Sequence, residues 1–453
     1  MFSKIKKIFK NDNKKPHLLI VGDNLKFIEH AVKYLEKDYE IKTRVIQKND
    51  NLDSSKNKNI LDWADIIFCE WMQSYVEWFS KNVKKDQKLF IRAHKYEASL
   101  SYGHNIDFNN VTGVITINYF LLEIFSNIFS IPREKMFVLN NIVETSIYSK
   151  NKTPDYRKNI ALVGYVPNWK GYHRALEIIN HLNKHDDFKL YLFGKDWCEL
   201  DWVKNDKTQF EYLDKCEEYI EEHDLSKYII KQGWVDRTNM FSNIGYVLSV
   251  SDIEGSHLSP TESNADLTMS LILNWPGASY VHPPEIIFES IDDIEAYILD
   301  TYDNDEKYME TVKFLNNYCV AEFGEEYFVN GLKHIFSMEK TDNNNFSISL
   351  EKIKNEYIEN NEINQEKLLN DFDNSFIAYN ETEIQKIIKN NSKSNIRIFL
   401  SKDFETYKIK NIYQKYASIN VAIYSIHFLE NLDEAEEFIR LINKYHRSDK
   451  KLK

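Results

Sequence analysis

Short apolar runs that end on a glycine and hand over to a helical stretch recur through the first two thirds of the chain. His17 to Val21 (HLLIV) meets Gly22 and is followed by the helix-like Phe27 to Leu35. Ile160 to Val163 (IALV) meets Gly164 ahead of the helical Tyr172 to Leu182, and Lys189 to Phe193 (KLYLF) meets Gly194. Ile66–Cys69, Leu89–Arg92, Val114–Ile117 and Val247–Val250 are further short buried-strand candidates. Strands alternating with helices demand crossover connections, and those build a parallel, doubly wound α/β sheet. The pattern restarts near residue 150, which predicts two such units in tandem.

Glycine and proline then disappear. All 12 glycines lie at or before Gly331 and all 8 prolines at or before Pro284. Helix interiors exclude both residues and turns demand them, so the remainder is expected to be mostly helical. Val421, Ile423, Ile426, Phe428 and Leu429, then Ala435, Phe438, Ile439 and Ile442, read as amphipathic helices. The predicted division is a basic segment over 1–15, an α/β domain over 16–150, a second over 151–340 and a helical appendage over 341–453. The appendage carries no recognisable catalytic constellation, so its expected role is packing: against a partner protein, a second copy or the catalytic body.

Charge narrows the function. Lys plus Arg number 58 against 70 Asp plus Glu, a net −12. Affinity for nucleic acid comes chiefly from clustered cations, so this balance argues against a dedicated nucleic-acid binder. Cys69, Cys198, Cys216 and Cys319 form no C-x-x-C pair, which disfavours a disulfide framework or structural zinc and fits a reducing cytoplasm. No run of 18 apolar residues suggests a membrane span, and MFSKIKKIFK lacks the apolar core and cleavage site of a secretory signal. Lysines interleaved with Phe2, Ile5, Ile8 and Phe9 fit two readings equally, a peripheral membrane-surface helix or a frayed, solvated terminus.

In parallel sheets ligands sit beyond the carboxyl ends of strands, where helix amino-termini offer N–H groups to anions. Gly22, Gly164 and Gly194 occupy such places. None belongs to a dinucleotide or P-loop glycine motif, and each also reads as a plain chain turn. The stretch Ser251-Asp-Ile-Glu254-Gly255-Ser256-His257-Leu-Ser-Pro260-Thr-Glu262 is more informative. It sets Glu254 on a loop with the backbone N–H groups of Gly255, Ser256 and His257 beside it. If the loop ends near Pro260, Glu262 falls in the first turn of the next helix, where the macrodipole favours a carboxylate whatever its function.

Glu254-x7-Glu262 after a strand, with Gly164-Tyr-Val-Pro-Asn-Trp-Lys170-Gly upstream, resembles the family-four retaining glycosyltransferases of the GT-B fold. Leu18–Gly22, Arg92-Ala-His94-Lys-Tyr-Glu97 and Val138-Leu-Asn-Asn141-Ile-Val are similar to further family blocks in order and spacing. Cys69-Glu70-Trp71, Gly245–Ser251 and Trp275-Pro-Gly-Ala278 resemble a bacterial surface-polysaccharide branch. The likeness covers roughly residues 15 to 335.

The resemblance implies two Rossmann-like domains facing a cleft, the first on the acceptor side. It implies transfer, with retention, of a hexosyl unit from a UDP-linked donor to a glycan or lipid-linked acceptor, without a metal or resident cofactor. Glu262 would accept from the ribose hydroxyls, Glu254 and the amides of Gly255, Ser256 and His257 would hold the donor sugar, and Lys170 would neutralise the diphosphate. Gly22, Gly164, Gly194 and Lys195 would line the donor site, and His94 would meet the sugar. Family members commonly carry Arg five positions before the lysine, where this chain has Tyr165. Another cation is then needed, and Lys195 and Arg174 are the candidates by position. Two rivals remain: an epimerase or phosphorylase of the same fold, and a catalytically silent subunit that binds a partner transferase.

Overall fold

The computed structural model describes residues 14–339, 348, 350–392, 394–418 and 420–446. The basic segment expected over 1–15 lies outside the described residues except for Lys14 and Lys15. The chain forms two compact units. One joins the residues up to Ile142 with those from Phe328 onward, and the other runs from Val143 to Tyr327. No helix among the described residues is long and apolar enough to cross a membrane.

The first unit is built on six strands: β1 (His17–Gly22), β2 (Glu40–Val45), β3 (Ile66–Glu70), β4 (Lys88–Ala93), β5 (Gly113–Thr116) and β6 (Met136–Val138). Their order is β2-β1-β3-β4-β5-β6, and every pairing is parallel. Helices on both faces bury such a sheet, so its inner strands are apolar end to end. β3 and β5 are buried at every residue, whereas the edge strand β2 stays half exposed. The apolar runs therefore revealed β1, β3, β4 and β5. β2 (EIKTRV) kept an edge strand's polar residues, and β6 is only three residues long. The helix Tyr119–Phe129 starts where the Asn118 side chain accepts from the Leu121 amide at 2.7 Å.

The second unit carries β7 (Asn159–Val163), β8 (Lys189–Phe193), β9 (Ile229–Gly233), β10 (Tyr246–Ser249), β11 (Met269–Leu273) and β12 (Ile287–Phe288). Their order is β12-β11-β10-β7-β8-β9, again all parallel. The strand order reverses direction between β7 and β10. In the first unit the reversal falls between β1 and β3. Crossovers leave such a switch point on opposite faces, which opens a crevice at the carboxyl ends of the two strands. Two doubly wound parallel sheets of this kind make the GT-B architecture.

The carboxy-terminal region is mostly helical, with helices Leu350–Tyr357, Gln365–Asp371, Glu381–Asn390, Ile409–Tyr416, Ile426–Glu430 and Leu432–His446. It also holds a small hairpin, β13 (Ile358–Glu359) with β14 (Glu362–Ile363), and a parallel sheet of β15 (Ser375–Ala378), β16 (Ile396–Leu400) and β17 (Val421–Ser425). Val421 and Ile423, expected on an amphipathic helix, stand on β17. That strand is buried at all five residues, and a short apolar run buried on both faces gives periodicity nothing to distinguish.

This region packs against its own unit. Phe428 and Phe438 meet Phe120 edge-on, at ring separations of 5.8 and 5.3 Å, and Tyr413 and Phe428 meet Tyr119. Arg133 stacks on Tyr424 at 4.1 Å and donates to the Ile423 carbonyl at 3.0 Å, while its other nitrogen pairs with Glu123. The Arg133 and Glu123 side chains are 4% and 1% exposed, so neither charge has solvent to fall back on. Removing one partner strands the other. Arg133→Met is expected to cost about 3–5 kcal/mol in urea unfolding, and adding Glu123→Leu should recover much of that loss.

Candidate functional site

The switch point of the second sheet gathers most of the expected donor-side residues. After β7 the chain passes Gly164 and a 3-10 turn, Asn168–Lys170, before the helix Tyr172–Leu182. Gly171 joins turn to helix with φ +75°, and a β-carbon there would lie 2.0 Å from the Val250 carbonyl oxygen. Only glycine permits both that conformation and that approach. The approach lays the Lys170 turn on the loop after β10. Lys170 Nζ is 2.6 Å from Glu254 Oε1, and Ser251 Oγ donates to the same oxygen at 2.8 Å. Gly164 and Gly194, ending β7 and β8, lie side by side, with a β-carbon at Gly194 falling 3.6 Å from the Gly164 α-carbon.

The loop beyond Glu254 is held from beneath. His257 Nδ1 meets Ser249 Oγ at 2.6 Å, and Trp275 Nε1 donates to that hydroxyl at 3.2 Å. Trp275 is thus a buried anchor. Ser256 is buried, and its hydroxyl oxygen has no hydrogen-bond partner. A buried hydroxyl left so costs free energy, which a ligand's polar group can return. The helix Leu258–Ala265 follows without a side-chain cap. It begins two residues before Pro260, so Glu262 stands in its second turn and not its first; proline is tolerated throughout a helix's opening turn.

Glu262 meets a cation that the sequence did not suggest. Arg237 lies in the turn after β9, and its Nη1 is 3.0 Å from Glu262 Oε1 while its Nη2 is 3.4 Å from Glu144 Oε2. Burial works against the guanidinium charge, but Glu262 and Glu144 more than offset it and raise its pKa. Of the two candidates for the missing arginine, Arg174 is committed to the scaffold: it pairs with Asp252 at 2.6 Å and donates to the Val250 carbonyl at 2.8 Å. Lys195 is exposed. Tyr165 is buried and packed on Tyr172 at 5.2 Å, and burial, then the nearby Asp196 charge, raises its pKa.

In the first unit, Gly22, Glu70, Arg92 and His94 lie at or just past the carboxyl ends of β1, β3 and β4. Glu70 and Arg92 are direct cross-strand neighbours, and both are fully buried. His94 Nε2 is 2.7 Å from Glu70 Oε1, Arg92 is 3.5 Å from Glu70 Oε2, and Arg92 donates to Asn141 Oδ1 at 2.6 Å. The blocks around Cys69, Arg92 and Val138 therefore converge on one polar network. Phe27 stacks on His94 at 4.7 Å and Trp71 packs against it at a tilt, at 4.2 Å. Burial lowers the His94 pKa, Glu70 opposing, so the ring is held towards neutrality. Glu70, Arg92 and Arg237 are residues of the candidate site to which the sequence reading gave no role. The available signal was a charge closing or interrupting an apolar strand: IIFCE and LFIRA.

Among the described residues, one group of metal-ligating side chains comes within 4.8 Å, His181 with Asp292 and Glu295. His181 is in the last turn of a helix running from the carboxyl end of β7 to the amino end of β8, away from the loops just described.

Glu97 accepts from the Met72 and His94 amides at 2.9 and 3.2 Å. Burial nevertheless pushes its carboxyl up to about 8. A folded pKa above the unfolded 4.5 favours the protonated protein. That stability is complete below about pH 4.5 and is lost as pH rises through about 8. Glu97→Gln should flatten this loss, on the order of a few kcal/mol at about 1.4 per unit, in unfolding curves between pH 5 and 9.

No family model and no curated protein matches the chain. Solved structures do. HepE from Anabaena, in complex with UDP, is 12% identical at a TM-score of 0.54, covering 71% of this chain and 99% of that one. A glycosyltransferase from Rickettsia africae is 15% identical at 0.53, covering 72% and 100%. The lipopolysaccharide outer core galactosyltransferase WaaB is 13% identical at 0.52, covering 71% and 99%. The chain spans about half of TarM, 54% of its length, at a TM-score of 0.49. At these identities the similarity defines the fold, and the fold is GT-B.

Proposed function

We propose that this protein is a retaining hexosyltransferase that moves a sugar from a UDP-linked donor to a glycan or lipid-linked acceptor of a bacterial surface polysaccharide. The reading is carried by one arrangement: Lys170 paired to Glu254 at the β7/β10 switch point, with the buried, unpartnered Ser256 hydroxyl beside it. Support comes from the family resemblance and from neighbours of the same fold that are described as a glycosyltransferase or seen in complex with UDP.

The chemistry follows from charge. Breaking a glycosyl–phosphate bond builds positive charge on the anomeric carbon and negative charge on the departing diphosphate. An ammonium group and the amino end of a helix meet the second charge without reorganising. Lys170 has three N–H donors, so it can keep Glu254 and still donate to phosphate. Glu254, buried and tied to Ser251, is a fixed acceptor for sugar hydroxyls. Glu262 is assigned the ribose hydroxyls, and His94 the sugar contact that the resemblance implies. Retention, also taken from the resemblance, has the leaving phosphate oxygen accept the acceptor's proton on the face from which it departs.

Release of UDP from UDP-sugars, followed with and without a glycan acceptor, tests the reading. Acceptor-dependent release with an α-linked product from an α-linked donor is expected, and an anomerically inverted product would overturn retention. Turnover should survive excess EDTA and fall by about 10²–10³-fold in Lys170→Ala, the usual effect of removing one preorganised donor. Activity that vanishes on chelation and returns with manganese would overturn metal independence.

A further inference from the structure

Arg237 stands apart from every residue considered above. It belongs to no recognised motif, yet it is the cation in contact with Glu262. Three elements meet at its guanidinium: the turn after β9 that carries it, the helix Leu258–Ala265 that carries Glu262, and the segment opening the second unit, which carries Glu144. The turn is itself fixed, because Asp236 accepts from the Thr238 amide at 2.9 Å. The Glu262 and Glu144 side chains are 13% and 10% exposed, and Arg237 is 41% exposed. Two nearly buried carboxylates thus share one half-exposed fork.

The fork geometry matters. A guanidinium bonds two carboxylates at once from a plane, where an ammonium acts as a point charge. Without Arg237, two carboxylates held near each other in a poorly solvated place would resist joint ionisation. Glu262 would then gain a proton or turn to another rotamer. Tyr148 adds a second observation. Its ring is 5% exposed, its hydroxyl is buried with no partner, and its pKa is raised by burial and then by the nearby Glu262 charge. A carboxylate accepts several hydrogen bonds together, so pairing with Arg237 leaves Glu262 competent to accept from a diol.

We infer that Arg237 is the positioning residue of the nucleotide-ribose site: by bridging Glu262 and Glu144 it holds Glu262 ionised and oriented to read the cis-diol of a ribonucleoside diphosphate. This rests on the assignment of Glu262 to the ribose. Arg237 acts through Glu262, not on the departing phosphate, so its loss raises the donor KM and spares kcat. It also sets the preference for ribose over 2′-deoxyribose, since one oriented carboxylate oxygen then has no hydroxyl to receive.

The test is calorimetric titration of the full chain with UDP and with 2′-deoxy-UDP, alongside donor kinetics. Wild type is expected to favour UDP. Arg237→Gln should lose about tenfold in UDP affinity, compress the ribo-to-deoxy ratio and leave kcat within about threefold. Arg237→Lys, which keeps the charge but loses the fork, should fall between the two and guards against a folding defect in the glutamine variant. In a Glu262→Gln background, Arg237→Gln should add little, because the two act as one unit. Unchanged affinity and ratio in both Arg237 variants, with Glu262→Gln weakened, would overturn this inference alone. A full additional loss in the Glu262→Gln background, or a collapse of kcat at constant KM, would make Arg237 a direct phosphate ligand and overturn it too. Glu262→Gln that binds UDP like wild type would overturn the ribose assignment and this inference together.

Discussion

One backbone approach underlies the candidate site of the second unit. The α-carbon of Gly171 sits against the Val250 carbonyl, leaving no room for a side chain. Two further bonds close the same seam: Asp252 donates its amide to the Trp169 carbonyl at 2.7 Å, and Arg174 clamps Val250 and Asp252 from the helix side. Lys170 is on one wall of that seam and Glu254 on the other. Their pairing is a consequence of how two crossover loops meet, and the side chains did not have to find each other. A larger residue at 171 would push the loops apart and remove the cation from the carboxylate at a single stroke.

The first unit spends stability where the second spends steric room. Placing Glu70 and Arg92 opposite one another in the middle of an apolar sheet desolvates two charges, an effective penalty of several kcal/mol per ion in proteins. Their mutual attraction at 3.5 Å offsets part of it. The remainder must come from the bonds that finish the network, to Asn141, to the Asn140 and Phe27 carbonyls and to His94. Such a network is poor at stabilising a fold and good at specifying one, because each member is held by several others. His94 gains a fixed ring plane from Glu70 and two aromatic neighbours. That rigidity is what a group contacting a small polar substrate requires.

How much of this was legible follows from where each signal lives. Strands covered on both faces must be apolar throughout, so β1, β3, β4, β5, β7, β8 and β10 stood out, as did the glycines closing β1, β7 and β8. Edge strands answer to water on one side and carried no such mark. β9 (IIKQG), with two exposed residues, and β12, two residues long, are the second unit's examples. β17 failed for the opposite reason, being too uniformly apolar to declare a period. At the site, Glu254 and Glu262 were visible as a spaced pair, and Lys170 as part of a separate upstream block of the same likeness. Arg237 was invisible, because its meaning depends on Glu144 and Glu262, which lie 93 and 25 residues away. No local pattern encodes a contact of that range.

The burial of Tyr165 turns a departure in sequence into an argument about charge. Where the resembled family commonly carries arginine, Tyr165 leaves one positive charge fewer at the place the proposed diphosphate would occupy. Tyr165 does not stand in for it, since its ring is buried against Tyr172 and a tyrosine carries no positive charge. Arg174 is spent on the loop seam. The positive groups at the carboxyl ends of this sheet include Lys170, the exposed Lys195 and the uncapped helix Leu258–Ala265. A helix dipole presents about half a charge at its amino end, and Lys195 is exposed, with no carboxylate within ion-pair distance among the described residues. In the proposed reaction the leaving group's charge would fall to the Glu254-bound Lys170, the exposed Lys195 and a backbone terminus. On the proposed reading Arg237, paired to Glu262 and Glu144, serves the ribose end of the nucleotide instead.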